Sequence, residues 1–270
     1  MTRAPWIATG LVLATVVVAS QTTGTSQQPA SPKSSEPMFV TLRVTDVKPD
    51  MMSEFVALQK SDTIPGLKKA GIEWRDVWRA AVVGNPSTVA TIMPLKSLAD
   101  LDGGPPMKKA LGDDGYRTYM EKVNKLIAQT RVYIVRARPD LGYKAEGSAP
   151  MMAKLGVLAD VEVVPGRQAD FEAILKTEWV PGLKKANVPA YSVSEVAFGG
   201  AIGQYFTFTP ISNFAQLEKG HPIQQALGEA NYTKLMAKMG PTIRHAERII
   251  IRYDDELSFQ GSAKPKTESQ

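Results

Sequence analysis

The sequence contains no cysteine among its 270 residues. This absence excludes disulfides, redox dithiols and metal sites that use thiolates, so the fold must be held together by packing. Histidine is almost as rare, because only His221 and His245 are present and they stand far apart in the chain. A structural zinc site needs about four protein ligands, so we predict no metal site.

The chain also lacks a sustained run of one charge sign. Its formal net charge is +5, from 32 basic and 27 acidic residues, and the two kinds alternate along the sequence. Proteins that bind nucleic acid normally concentrate basic residues on one face, so we expect no nucleic-acid partner. The hydrophobic content of 43% is enough to bury a substantial core, and the length suggests about two domains.

No apolar run reaches the ~18 residues that a membrane-spanning helix requires. The N-terminus has a shorter one, in which Arg3 precedes an apolar stretch over residues 6–19 and a cleavage pattern before Gln21. Residues 1–20 therefore predict a signal peptide, with an uncleaved anchor as the alternative. We expect an exported protein, periplasmic or extracellular, without stable membrane insertion after cleavage.

Three stretches have the composition of connections. Residues 21–37 are polar and rich in proline and serine, which predicts a flexible linker. Residues 144–155 contain Gly147 and Pro150 and are predicted to link two folded units. Residues 260–270 are polar as well and predict a disordered tail.

A repeat dominates the rest of the chain. The hexapeptide PGLKKA occupies residues 65–70 and returns 116 positions later at residues 181–186. The same offset aligns residues 40–143 with the second part of the chain without a gap, with roughly thirty identities in about a hundred positions. This predicts a duplicated unit, with repeat 1 at residues 38–143 and repeat 2 at residues 156–259.

Each copy is predicted to contain the same six elements. A strand rich in β-branched residues is followed by an amphipathic helix, a hairpin of two strands, a second helix and a last strand. The order βαββαβ is that of a ferredoxin-like unit. We therefore predict an α+β fold made of two tandem ferredoxin-like repeats.

The repeated hexapeptide ends the first helix of each copy. Pro65 and Pro181 lack an amide hydrogen and crowd the preceding turn, so they should break this helix and restart a short one. Gly71 and Asn187 follow the hexapeptide and suit the left-handed conformation that closes a helix. The lysines fit the negative end of the helix dipole, so we interpret the hexapeptide as structural.

The element order, the helix-end segment PGLKKAG and the spacing of ALG from the aromatic residues after it resemble the dimeric α/β-barrel superfamily. This group holds the NIPSNAP-like, EthD-like and antibiotic-biosynthesis-monooxygenase-like proteins, and the resemblance covers residues 40–259. Its members usually build the barrel from two chains. The resemblance therefore implies that the two copies form an internal version of that dimer, and that the protein could be a monomer.

If the copies share a scaffold, function is best sought where they differ. In the first hairpin strand, Arg75 and Arg79 occupy the positions of Tyr191 and Glu195. Alternation along a strand places the two arginines on the face opposite to Trp78. The four residues could line a cavity shared by the copies, or they could form ordinary ion pairs at a rim.

Aromatic and histidine side chains supply the other candidates. Trp78 and Trp179 could stack on a ligand, although packing is the commoner role of such residues. His221 lies in a predicted loop, where an imidazole could act as acid, base or ligand or be an ordinary surface residue. The candidate ligand-binding residues are Arg75, Trp78, Arg79, Trp179, Tyr191, Glu195, Tyr205 and His221.

Three functions remain open after these observations. The first is binding of a small apolar or aromatic molecule within the barrel, favoured because no convincing acid, base or nucleophile constellation is present. The second is a cofactor-independent monooxygenase or lyase, as the resemblance implies, using Tyr191, Glu195, Arg79 or His221. The third is haem binding with His221 or His245 as the axial ligand. The sequence assigns no catalytic residue and requires no cofactor.

Overall fold

The computed structural model describes residues 39–145 and 153–261, which belong to one compact unit. The predicted signal peptide at residues 1–20 and the linker at residues 21–37 lie outside the described residues. So do most of the predicted inter-repeat linker and of the C-terminal tail.

The first half of the described chain has the predicted element order. Its strands and helices are β1 (Phe39–Val47), α1 (Met52–Leu58), α2 (Ile64–Lys69), β2 (Trp74–Ala80), β3 (Thr88–Leu95), α3 (Pro106–Leu126), β4 (Ile127–Ala137) and the short β5 (Tyr143–Lys144). A turn of 3₁₀-helix precedes α3 at Leu98–Leu101.

The second half repeats this order with similar bounds. Its elements are β6 (Leu155–Val163), α4 (Gln168–Ile174), α5 (Val180–Lys185), β7 (Ala190–Phe198), β8 (Gln204–Pro210), α6 (Ala215–Glu218), α7 (Pro222–Leu227), α8 (Glu229–Met239), β9 (Ile243–Tyr253) and the short β10 (Phe259–Gln260). Within the described ranges, no helix combines the length and the apolar character needed to cross a bilayer.

The predicted break at the hexapeptide prolines is wrong. A turn of π-helix joins α1 to α2, and a second one joins α4 to α5, so each helix continues through its proline. The amide of Ile64 donates to the carbonyl of Gln59, five residues back, and that of Val180 donates in the same way to Leu175. The wider turn accommodates the proline ring, which has no amide hydrogen to place.

The predicted helix ends are confirmed by the backbone. Gly71 has φ +82° and Asn187 has φ +55°, the left-handed conformation that closes α2 and α5. Gly112 (φ +72°) interrupts α3, and Gly228 (φ +79°) separates α7 from α8 at the corresponding place.

All strand pairs are antiparallel, and eight strands form a closed barrel. The order around it is β2-β3-β1-β4-β7-β8-β6-β9, and β9 pairs with β2 to complete the circuit. The two halves therefore meet twice, at the pairs β4–β7 and β9–β2. A closed circuit leaves no unpaired edge among these eight strands.

Alternation along the strands divides the core into an interior and two outer layers. Leu42, Tyr133 and Val196 point into the barrel and pack on one another. The opposite strand faces carry the helices, with Val77 packed beneath α1 in the first half. Tyr205 packs on Phe171 of α4 in the second half, with the ring centroids 5.2 Å apart.

Each half completes the outer core of the other half. Leu141 follows β4 but is fully buried in the sheet–helix core of the second half. Leu257 follows β9 and is fully buried in the corresponding core of the first half. The short strands continue this exchange, because β5 pairs with β7 and β10 pairs with β2. We call residues 138–145 and 254–261 the exchanged segments.

The hexapeptide lysines hold the exchanged segments in place. The ammonium of Lys68 lies 5.1 Å from the ring centre of Phe259, and that of Lys184 lies 5.2 Å from Tyr143. Such cation–π contacts contribute about 0.5–1 kcal/mol at exposed sites. The most faithfully repeated stretch of the sequence therefore contacts the segment donated by the other half.

Each exchanged segment begins with an ion pair to a strand of the other half, and the basic and acidic partners are reversed between the two pairs. Arg138 pairs with Glu195 of β7 at 3.1 Å, whereas Asp254 pairs with Arg79 of β2 at 2.6 Å. Arg138 and Asp254 stand 116 positions apart, as do Arg79 and Glu195. A half that received its own segment would bring together two arginines or two carboxylates, which repel each other. The charges therefore favour exchange between unlike halves.

Replacing Leu257 by alanine should lower the free energy of unfolding by about 2–5 kcal/mol, because the side chain is fully buried in the core of the first half. Urea unfolding followed by circular dichroism measures this change. Leu101→Ala is the control, since the exposed Leu101 side chain should contribute less than about 0.5 kcal/mol. Equal effects of the two substitutions would contradict the exchange.

A double-mutant cycle tests the reversed ion pairs. Arg79→Glu places a carboxylate beside Asp254 and should lower the free energy of unfolding by about 3 kcal/mol. Asp254→Arg should cost much less in that background than in the wild type, with a coupling energy of about 1–3 kcal/mol. Lys96→Glu at the exposed pair with Glu73 is the control, expected below about 1 kcal/mol. Additive effects at 79 and 254 would refute the pairing.

Candidate functional site

A cavity of about 310 Å³ opens at one end of the barrel interior. It lies where β1 and β6 end and where β4 and β9 begin, so both halves contribute to its wall. The lining residues alternate along their strands, as inward-facing positions must. They are Val44, Asp46, Gln129, Arg131 and Tyr133 from the first half and Leu158, Asp160, Phe206, Glu247 and Ile249 from the second.

Aromatic side chains close the inner end of the cavity. Tyr133 and Phe206 meet edge to face, with their ring centroids 5.4 Å apart. Deeper in the barrel, Trp78 packs between Phe208 and Tyr253, with centroid distances of 5.1 Å to each. Aromatic side chains therefore fill the middle of the barrel, and the cavity lies between them and the solvent.

Two carboxylates face the cavity from the second half. Asp160 and Glu247 lie directly opposite each other on β6 and β9. The side-chain amide of Gln204 donates to both carboxylate oxygens of Asp160, at 2.8 and 2.9 Å. Burial raises the pKa of Asp160, and the charges of Glu162 and Glu247 raise it further.

Arg131 faces the cavity from the first half, at the position equivalent to Glu247. Both side chains are exposed at the open end, and neither has an ion-pair partner among the described residues. Asp46 differs from them, because its carboxylate accepts hydrogen bonds from Thr88 at 2.5 Å and Asn85 at 3.4 Å. The wall of the first half thus carries Arg131 and the hydrogen-bonded Asp46, and the wall of the second half carries the carboxylates of Asp160 and Glu247.

The predicted lining by Arg75, Arg79, Tyr191 and Glu195 is not formed. All four lie on the strand faces that the helices cover, outside the barrel. The position of the helices, and not the charge of the side chains, determines which face of a strand points outward. Among the eight candidates, only Trp78 lies in the barrel interior, and it belongs to the packed part.

Arg75 is buried, with 3% of its surface exposed. Its guanidinium donates to the side-chain oxygen of Gln59 at 2.6 Å and to the carbonyl of Leu257 at 3.1 Å. Burial lowers its pKa to about 10, so it remains charged at neutral pH. Arg75 and the Arg79–Asp254 pair therefore both bind the exchanged segment of the second half.

Trp179, Tyr191 and His221 come together beneath the helices of the second half. The ring of His221 lies 5.0 Å from Trp179 and 5.4 Å from Tyr232, and its Nδ1 accepts a hydrogen bond from the amide of Ile223. Burial and the charge of Arg248 lower the pKa of His221 to about 4, so the ring is neutral at pH 7. Burial also raises the pKa of Tyr191 to about 12.

Tyr205 and Glu195 belong to an ion-pair network on the outer face of β7 and β8. Tyr205 donates to Glu172 at 2.8 Å, and Arg138 binds both oxygens of Glu172 at 2.6 and 2.7 Å. Arg136 pairs with Glu195 at 2.5 Å. Burial raises the pKa of Tyr205. The network joins α4 to the exchanged segment of the first half.

Neither histidine lines the cavity. His245 lies on β9, two residues before Glu247 and outside the lining of the cavity, and His221 is packed between two aromatic rings. Within residues 39–145 and 153–261, no group of three or more histidines and carboxylates could hold a metal ion. The haem alternative therefore stays a prediction without support from the geometry.

Sequence reasoning missed the residues that line the cavity. Arg131 and Glu247 occupy equivalent positions of the two copies and have opposite charges. Val44 and Asp160 are also equivalent, and one is apolar whereas the other is acidic. The sequence predicts the last strands from Val132 and Arg248 onward, whereas β4 and β9 begin five residues earlier, so Arg131 and Glu247 fall just outside the predicted strands.

Comparison with known proteins finds a likeness of fold. No family model and no curated protein matches the sequence. An anthrone oxidase-like protein of known structure has a TM-score of 0.56 and 11% identity, covering 80% of this chain and 91% of its own. A proposed monooxygenase from Fusobacterium nucleatum has a TM-score of 0.52 and 10% identity, covering 80% of this chain and 92% of its own.

A NIPSNAP family protein of unknown function from Agrobacterium tumefaciens is 17% identical over 37% of this chain and 86% of its own, with a TM-score of 0.32. At these identities the likeness concerns the fold alone. The likeness to the anthrone oxidase-like protein and to the Fusobacterium protein, both with TM-scores above 0.5, agrees with the predicted α+β fold. Their activities belong to those proteins.

Asp160→Asn should stabilise the protein at pH 7. The pKa of Asp160 is higher in the folded protein than in the unfolded chain, so its ionisation penalises the folded state above that pKa. The penalty disappears as the pH falls toward about 4, the ordinary value of an aspartate. Urea unfolding at pH 7 and pH 4 should therefore show a gain for the variant at pH 7 only, with the exposed Asp102→Asn as control. A gain of equal size at both pH values would contradict this account.

Proposed function

We propose that this protein binds a small molecule with an apolar or aromatic body in the barrel cavity. The observation that carries the proposal is the cavity itself, which has an aromatic inner end and a few charged groups at its mouth. Ligand sites in proteins are usually pre-formed clefts of about 300–1,000 Å³ with such a lining. At about 310 Å³ the cavity is at the lower end of that range, which favours a small ligand.

We also infer that the two halves are tandem ferredoxin-like copies that form an internal dimer. Residues 116 positions apart take corresponding places in the barrel, as the register of the exchanged segments illustrates: Tyr143 pairs with Tyr191 and Phe259 with Arg75. A barrel of two identical chains would have identical walls. Fusion into one chain allows the walls to differ, so that Arg131 and Glu247 face the same cavity.

Export remains part of the proposal. The apolar stretch within residues 1–20 supports a signal peptide, and we infer that the ligand is bound outside the cytoplasm. A ligand met there would have to reach a cavity that opens directly to solvent, as this one does through its exposed charged rim.

A cofactor-independent monooxygenase or lyase is the second candidate. Asp160 favours it, because a partly buried carboxyl with a raised pKa can exchange protons with a bound substrate. The residues first proposed for this activity do not converge, since Arg79, Tyr191 and Glu195 lie in different outer contacts. Oxygen uptake with anthrone as the probe distinguishes the two candidates. Uptake by the wild-type protein that is lost in Asp160→Asn would show that the protein is a catalyst and does more than bind the molecule.

Binding of indole, a neutral aromatic probe, tests the proposed function. We expect indole to shift the amide NMR signals of the strand segments around the cavity in the wild-type protein. Val44→Trp should reduce its affinity by at least about tenfold, because the new ring fills the cavity from β1. Val132→Trp is the matched control, since Val132 lies on the outer face of β4 and is 42% exposed.

A folded Val44→Trp variant that binds indole as well as Val132→Trp would refute the cavity as the site. If Val44→Trp fails to fold, Val44→Phe provides the same test with a smaller ring. Shifts confined to the helix-facing layers, or no shifts at all, would also refute the proposal.

A further inference from the structure

The charges around the cavity differ between its two walls. Arg131 stands on β4 of the first half, on the same wall as Asp46, whose carboxylate already accepts hydrogen bonds within that half. The carboxylates of Asp160 and Glu247 stand on β6 and β9 of the second half. Arg131 and Glu247 occupy equivalent positions of the two halves, so they face each other across the barrel opening. Neither is neutralised by an ion pair within the described part of the chain, and both point where a ligand would enter.

The acidic wall is suited to a cation. Directly opposed carboxylates on neighbouring strands repel each other, and the repulsion is relieved when a positive charge lies between them. Gln204 supplies only neutral hydrogen bonds to Asp160. An ammonium group could donate to both carboxylates at once, because it has three hydrogens to share.

The basic wall is suited to an anion. The guanidinium of Arg131 presents several donors in a planar fork that matches a carboxylate. Tyr133 lies two residues further along the same strand, at the inner end of the cavity. A ligand bound through Arg131 would therefore extend its body toward the rings of Tyr133 and Phe206.

We propose that the cavity takes a zwitterion, with an anionic group at Arg131, an ammonium group between Asp160 and Glu247, and an aromatic or apolar body against Tyr133 and Phe206. The proposal rests on the proposed function and specifies its ligand class. A ligand with only one charge would leave the opposite wall without a partner. A neutral ligand would use neither wall.

Three probes with the same phenyl group separate these cases. L-phenylalanine carries both charges, phenethylamine carries only the ammonium and 3-phenylpropionate carries only the carboxylate. Calorimetric titration of the intact protein should show phenylalanine binding about tenfold or more tightly than either singly charged analogue, because each charge-assisted hydrogen bond adds to the affinity.

Two variants test the assignment of each wall. Arg131→Met should reduce the affinity for phenylalanine to that for phenethylamine, and Glu247→Gln should reduce it toward that for 3-phenylpropionate. Arg117→Met and Glu121→Gln are the matched controls, because both residues are exposed on α3, and they should leave all three affinities unchanged.

A singly charged probe that binds as tightly as phenylalanine would overturn the proposal, and so would unchanged binding in both wall variants. Indole separates this failure from that of the proposed function. If indole binds in the cavity without any preference among the charged probes, the zwitterion is wrong and the cavity stands. If neither indole nor any charged probe binds, both proposals are wrong.

Discussion

The exchange of Leu141 and Leu257 between the two halves is the contact on which the rest of this structure depends. Each leucine is fully buried in the sheet–helix core of the other half, so neither half has a complete outer core by itself. The adjoining strands β5 and β10 add backbone pairing, and the hexapeptide lysines cover the aromatic residues at their ends. Closure of the barrel and completion of the two cores are thus one event.

This interlocking gives the cavity its particular character. Because β4–β7 and β9–β2 hold the halves in a fixed register, the inward side chains of equivalent strands, which differ in sequence, face each other across the opening. The reversed ion pairs Arg138–Glu195 and Arg79–Asp254 favour this arrangement over pairing of like halves. The position of Arg131 opposite Asp160 and Glu247 is therefore fixed by contacts on the outside of the barrel, away from any ligand.

The fold could be predicted from the sequence because it depends on regular patterns. The 116-residue offset and the alternation of apolar residues predict the first strand and the hairpin of each half to within about three residues. They predict the last strands from Val132 and Arg248 onward, five residues after β4 and β9 begin. The helix ends at Gly71 and Asn187 followed from local backbone preference. The effect of Pro65 did not, because a π-turn that widens the helix is set by packing around it.

The site was harder to predict for two physical reasons. Alternation along β2 places Trp78 and Arg79 on opposite faces of the strand. Which of these faces points into the barrel depends on where the helices pack, and the pattern within the strand does not show that. The cavity combines strands β1, β4, β6 and β9, which meet only when the barrel closes, so no local motif marks it.

Amide hydrogen exchange of the intact protein tests most directly whether the two halves form one interlocked unit. The amide of Asp254 donates to the carbonyl of Val77, and that of Arg138 donates to Val193, in each case across the halves. The account predicts that these two amides exchange only through global unfolding, as slowly as those of the central strand β1. Fast exchange at Asp254 and Arg138 while β1 stays protected would show that the exchanged segments are loosely attached, and would contradict it.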